Sequence, residues 1–201
     1  MTNSHTLPLF PLNTVLFPNG ILSLRIFEER YIKMMRDCLR AQQPFGVCLI
    51  AAGQETGEAA VPHLVGTEAH IQSCEQPEPG LFTLVVHGKR RFRIENHEVA
   101  GNGLLSATVH WLQESGLPVP AAQSELLPLL EAMINGQRQP VLKPYHFDNA
   151  AWVGARYTEL LPIPLLAKQR LLELEDVISR LEIIQQFLRQ HGLLGAASPP
   201  H

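Results

Sequence analysis

Leu7-Pro8-Leu9-Phe10-Pro11-Leu12, Val15-Leu16-Phe17-Pro18-Asn19-Gly20 and Leu24-Arg25-Ile26-Phe27-Glu28-Glu29-Arg30-Tyr31 follow one another near the start of the chain. The first and third stretches are short apolar runs that read as strands, Thr6–Phe10 and Ile21–Ile26. The stretch between them is a turn: Pro18 sets φ at one central position, and Asn19-Gly20 tolerates positive φ. A helix then runs from Glu28 to about Gln42, with Tyr31, Met34, Met35, Cys38 and Leu39 on one face. Arg30, Lys33, Arg36, Asp37 and Arg40 take the other face. Glu28 and Glu29 in the first turn and Arg40 near the last match the helix dipole.

Working outward, the runs Phe45–Ala51, Leu64–Cys74, Leu81–Glu95 and Leu104–Leu112 read as further strands. Gly88 inside the longest of them marks a bulge or sharp bend, as a small closing barrel needs at its corners. After the stiff connector Leu117-Pro118-Val119-Pro120 the pattern becomes helical. Ala121–Gly136 is one helix with Gly136 as its stop, and Asp148–Leu161 is a second, capped by Asp148 and ended by Pro162. From Leu166 to about Gln190, Leu171, Leu174, Val177, Ile178, Leu181, Ile184 and Leu188 form an apolar stripe. Asp176 can cap a fresh start there, which divides the region into two helices near Glu175. The expected organisation is a strand-rich part over 1–116, a helical bundle over 117–194 and a disordered tail over 195–201.

Composition narrows the function classes. The chain has 201 residues, 45% hydrophobic and 17% charged, with a net charge of −3, which suits a soluble domain with its own core. Such a charge offers no electrostatic footprint for nucleic acid. Sixteen prolines predict fixed turns and short elements. Cys38, Cys48 and Cys74 are an odd count without a CxxC pair, which points to a reducing, cytoplasmic setting. No Lys or Arg precedes the first apolar run, as a signal peptide requires, and no run reaches the ~20 apolar residues of a membrane span.

Motifs that carry chemistry are missing from the sequence. Gly88-Lys89 is followed by Arg90 and lacks the upstream glycine of a phosphate-binding loop, and neither GxSxG nor GxGxxG occurs. His63, His70 and Cys74 are the nearest approach to a metal set, one ligand short of a structural zinc site, so no metal and no cofactor is expected. Lys89-Arg90-Arg91-Phe92-Arg93 has two readings. It is either an RNA-binding strand with Phe92 stacking on a base, or a strand with Lys89, Arg91 and Arg93 in solvent and Phe92 and Ile94 in the core. The neighbouring acids Glu95 and Glu98 favour the second.

The three opening stretches resemble the start of the Lon protease N-terminal (substrate-binding) domain family, patterned LPLFPL…VLFPG…LxIFExRY. Further matches come in order: Phe45-Gly46-Val47, Val65-Gly66-Thr67-Glu68-Ala69, Val86-His87-Gly88 and Arg91-Phe92-Arg93-Ile94. Leu161-Pro162, Lys168-Gln169-Arg170-Leu171-Leu172-Glu173, Asp176 and Arg180-Leu181 complete the resemblance, which covers about residues 6 to 190. Asn19 departs from it, since the family often has Gly directly after the proline. The resemblance implies an α+β fold: a PUA-like pseudo-barrel of about six strands with one inserted helix, followed by a C-terminal helical bundle. It further implies a non-catalytic module that binds unfolded or damaged polypeptide, or a protein partner, in protein quality control. The ATPase and Ser-Lys peptidase that follow this region in Lon have no counterpart in 201 residues, so a peptidase is expected in name only. Candidate binding residues are Phe27, Arg30, Tyr31, Met34, Met35, Arg91, Trp152 and Tyr157, the last two in a groove between barrel and bundle with Leu117–Pro120. Each also has a structural reading, as a turn-setting, core-packing or backbone-bonding residue.

Overall fold

The expected strands all form, and a computed structural model of the chain, describing residues 4–137 and 141–195, shows how they join. They are β1 (His5–Leu12), β2 (Ile21–Ile26), β3 (Phe45–Ala52), β4 (Val61–Pro62), β5 (Val65–Glu78), β6 (Leu81–Val99) and β7 (Leu105–Trp111). The two-residue β4 is the addition. Helix α1 (Glu29–Ala41) lies between β2 and β3. After a 3-10 turn at Ala121–Gln123 come α2 (Leu126–Asn135), α3 (Ala150–Leu160), α4 (Leu165–Glu173) and α5 (Val177–Gln190). The expected tail falls, apart from Gly195, outside the described residues.

The hydrogen-bond ladders run β1–β7–β6–β5–β3, and a parallel pairing of β1 with β3 brings the order back to its start. This is the pseudo-barrel, from which β2 and β4 stand apart. The long strand β6 serves two neighbours on one side, β2 along Phe82–His87 and β7 along Phe92–Val99. The hand-over occurs at Gly88, where Lys89 and Arg90 together oppose the single residue Glu68. That extra residue is a bulge. A Cβ on Gly88 would lie 2.3 Å from the Phe17 carbonyl oxygen, so only glycine fits the crossing.

The barrel interior holds Leu7, Leu9, Cys48, Phe92, Ile94, Leu105, Ala107 and Val109. Gly46 and Gly66 leave room for the Phe92 ring, since a Cβ at either would come within 2.7 Å of its Cζ. A second cluster sits under α1, where Tyr31, Met34, Met35 and Cys38 pack on Phe10, Leu24, Ile26, Phe45 and Leu84. Each such side chain contributes about 1.5–3 kcal/mol by leaving water. The helical periodicity is off at two residues: Leu39, placed on the apolar face, is 43% exposed, and Arg30, placed on the polar face, is buried.

The helical part has its own core around α3, every residue of which from Ala150 to Thr158 is buried. Two helix starts differ from the sequence reading, and the helix expected from Ala121 opens with a 3-10 turn and becomes α-helical only at Leu126. Asn149, not Asp148, caps α3, its side chain accepting the Trp152 N–H at 3.0 Å. Gly136 ends α2 with an ordinary right-handed backbone, φ −84°, so its glycine freedom is unused. The break near Glu175 is present, with Asp176 capping α5 through the Ile178 N–H at 3.0 Å.

Candidate functional site

The motif residues of the first turn face the helical part. Asn19 takes the left-handed conformation, φ 61°, and Gly20 N–H closes the turn on the Phe17 carbonyl at 2.9 Å. Arg156 of α3 donates to the Pro18 and Asn19 carbonyls at 2.6 and 3.0 Å and pairs with Glu159 at 2.7 Å. A Cβ on Gly20 would meet Glu159 Oε1 at 2.4 Å, so the glycine makes the space for that carboxylate. Burial pushes the Glu159 carboxyl up and the Arg156 guanidinium down, each opposed by the other's charge. A second clasp is Arg91, fully buried, which donates to the Leu172 and Leu174 carbonyls and to Glu114. Gln169 adds a bond to the Val65 carbonyl at 3.0 Å. Side chains of each half thus satisfy backbone carbonyls of the other.

Of the proposed binding residues, Phe27 is exposed, at 58%. Arg30, Tyr31, Met34, Met35, Arg91, Trp152 and Tyr157 are all buried, none above 6%. Arg30 bonds the Gly103 carbonyl at 3.1 Å and Glu28 at 3.1 Å. Tyr31 stacks on Phe10 with ring centres 4.1 Å apart, and Tyr157 donates to the Leu126 carbonyl. Arg91 departs from the expected solvated strand face, on which Lys89 and Arg93 are exposed as expected. Strand alternation does place Phe92 and Ile94 in the core, but at Arg91 the opposite face is covered by the α4–α5 connection rather than by water. The RNA reading loses its aromatic with Phe92 fully buried, and Arg90 and Arg93 are held by Glu68 and Glu175 at 2.9 and 3.0 Å.

The other chemical candidates are dispersed. His63 faces Glu173 at 3.7 Å, His70 faces Glu68 at 3.2 Å, and Cys74 Sγ lies 3.6 Å from Met35 Sδ. Among the described residues no three His, Cys, Asp or Glu side chains come together as metal ligands would. Burial pushes the Cys38 and Cys48 thiols up, Cys38 to about 11, which keeps both in the unreactive protonated form.

One surface has the make-up of a binding site. Pro162 and Pro164 turn the chain between α3 and α4, and the Leu174–Asp176 break leads into α5, which packs on α3. Between these elements lies a groove of about 460 Å³ lined by Leu161, Ile163, Pro164, Ala167, Leu171, Leu174, Ile183, Ile184 and Phe187, with Arg170 its single charged side chain. Ile183 is 49% exposed at its lip, and Leu166 nearby on α4 is 53% exposed. Apolar surface of this kind, left uncovered, marks an interaction site. The sequence stripe contains Leu171, Leu174 and Ile184, which line this groove. Ile183 and Phe187, four residues apart beside that stripe, form a second apolar column, and they were the legible signal of an open face. The barrel–bundle groove also exists, as a separate cleft with Trp152 in its wall, but Tyr157 and Leu117–Pro120 do not line it.

The chain thus combines a pseudo-barrel, helices docked on it and an open apolar groove. The chain belongs to the LON substrate-binding domain family: the model for the ATP-dependent protease La (LON) substrate-binding domain matches residues 6–190. A Lon N-terminal domain protein from Xanthomonas campestris is similar in structure, with a TM-score of 0.78, 36% identity and coverage of 91% of this chain and 98% of that one. The N-terminal domain of a Mycobacterium avium complex Lon protease shares the fold, with a TM-score of 0.63 at 14% identity over 93% and 100% of the two chains. Lon protease 2 of Myxococcus xanthus is 26% identical over 92% of this chain, which spans only 23% of that relative's length. No helix among the described residues is long and apolar enough to cross a membrane.

Proposed function

We propose that this chain is a non-catalytic recognition module that captures apolar segments of unfolded polypeptide, or of a protein partner, in protein quality control. The observation that carries the reading is the groove between α3, α4 and α5, nearly all apolar and open to solvent. An unfolded chain offers what a folded one hides, namely runs of apolar side chains, and a groove of this size accepts two or three of them. The family's role as a substrate-binding domain supports the same reading. Capture depends on apolar burial, so it persists at raised salt, whereas binding through a basic strand would fall steeply with salt.

The test is fluorescence anisotropy with a labelled, permanently unfolded polypeptide and, separately, a labelled single-stranded RNA, each at low and high salt. Saturable binding of the polypeptide that changes little with salt is the expected outcome. Binding of the RNA alone, lost at high salt, contradicts it.

A further inference from the structure

A second cleft, of about 230 Å³, separates the strand half from the helical half, with Glu114, His146, Asn149, Ala151, Trp152 and Arg180 in its wall. It opens at the N-terminus of α3. There the Ala150, Trp152 and Val153 N–H groups are taken up by Leu117, by the Asn149 side chain and by the Asn149 carbonyl. Among the described residues nothing accepts the Ala151 N–H. That alone is a property of many helices.

Arg180 is the independent observation. Its side chain is 3% exposed and forms part of the cleft wall, yet Nε has no hydrogen-bond partner and Nη2 is spent on the Leu174 carbonyl. Gly154 makes its position possible, since a Cβ there would lie 3.0 Å from Arg180 Cδ. Arg91, buried close by, also keeps an unpartnered nitrogen, Nη2. Among the described residues Glu114 is the carboxylate whose charge acts on Arg180, and it accepts a hydrogen bond from Arg91. Burial and then the repulsion of Arg91 hold the Arg180 guanidinium down to about 10, against the attraction of Glu114. Two buried guanidinium groups beside one carboxylate leave a surplus positive charge at the Arg180 wall of the cleft, which favours an anion there.

We propose that this cleft binds a single carboxylate, held by the Arg180 guanidinium and the first turn of α3. Glu114 in the wall disfavours a dianion such as phosphate, and the volume admits a carboxylate on a short carbon stem. The carboxylate comes either from a polypeptide, at its C-terminus or on an acidic side chain, or from a small free organic acid. The site is distinct from the apolar groove and stands whether or not that groove binds polypeptide.

The test uses the full chain labelled with nitrogen-15, reading the Trp152 indole resonance during titration with acetate at constant ionic strength, and with acetamide as the neutral isostere. Acetate is expected to give a saturable shift in the millimolar range, and acetamide none. Glu114→Gln removes the competing charge and tightens acetate roughly fivefold, while Arg180→Gln abolishes the response. If Arg180→Gln does not fold, the acetamide comparison and Glu114→Gln decide. N-acetylglycine and an amide-capped peptide with one Glu then separate terminal from side-chain carboxylates, and exclusion of both leaves small acids as the ligand. No saturable shift with acetate, an equal shift with acetamide, or unchanged affinity in Glu114→Gln overturns the proposal.

Discussion

Glu68 shows how single residues carry this fold. It opposes the bulge in β6, 3% exposed, and receives Arg90 through Nε at 2.9 Å and Nη2 at 3.0 Å, with His70 Nε2 at 3.2 Å. Burial alone would raise its carboxyl, but the hydrogen bonds from Arg90 and His70 outweigh burial and hold it below the ordinary 4.5. A carboxyl that ionises more readily folded than unfolded adds stability above its unfolded value, and that stability is lost as pH falls through the native value. Glu68→Gln is therefore expected to cost roughly 2 kcal/mol at neutral pH. Its deficit against the parent should shrink as pH falls below the ordinary carboxylate range. Urea unfolding at a series of pH values checks this, and a deficit constant down to the lowest pH contradicts it. The sequence showed the basic run but not this partner, because Glu68 and Arg90 meet only through the register of β5 on β6. Asn19, by contrast, was legible: a residue that tolerates positive φ stood where the turn needed one, and its φ is 61°.

Among the elements, helices were read more surely than their ends. The stretch Asp148–Leu161 offers two good N-caps side by side, and composition does not choose between them. The choice falls on Asn149 because the turn bonded from Asn149 N–H to the His146 carbonyl leaves it extended, at φ −102°, with its side chain toward Trp152 N. Asn149→Ala is expected to cost about 1 kcal/mol, and Asp148→Ala less than about 0.5 kcal/mol, by thermal or denaturant unfolding. Equal costs would contradict the cap assignment. The strand β4 was not legible, since two residues carry no periodicity. The α4–α5 break was legible because a capping Asp176 interrupts an apolar stripe. Gly88→Ala tests the β6 hand-over: with Phe17 O 2.3 Å from the added carbon, it should destabilise by several kcal/mol, read as a lowered unfolding midpoint.

For the whole molecule, the docking of helices on the barrel decides which surfaces are free. Arg91 and the carbonyls of Leu172 and Leu174 lie more than eighty positions apart in the chain, so local pattern could not show that β6 is covered on that face. Arg91→Ala leaves Glu114 and both carbonyls without this donor and is expected to cost about 3–5 kcal/mol in denaturant unfolding. A loss below about 1 kcal/mol would show that the clasp is incidental. The helical half buries Trp152 and Tyr157 in its own core and leaves the groove beside α4 and α5 as an open apolar surface. Capture of unfolded polypeptide at that groove is the central claim. It is tested most directly by measuring the affinity of one labelled unfolded polypeptide for the parent chain, for Ile183→Glu at the lip of the groove, and for Val99→Glu at an equally exposed site on the barrel. The account predicts a loss of at least about tenfold for Ile183→Glu with Val99→Glu unchanged; equal affinity in all three, or equal loss in both variants, would contradict it.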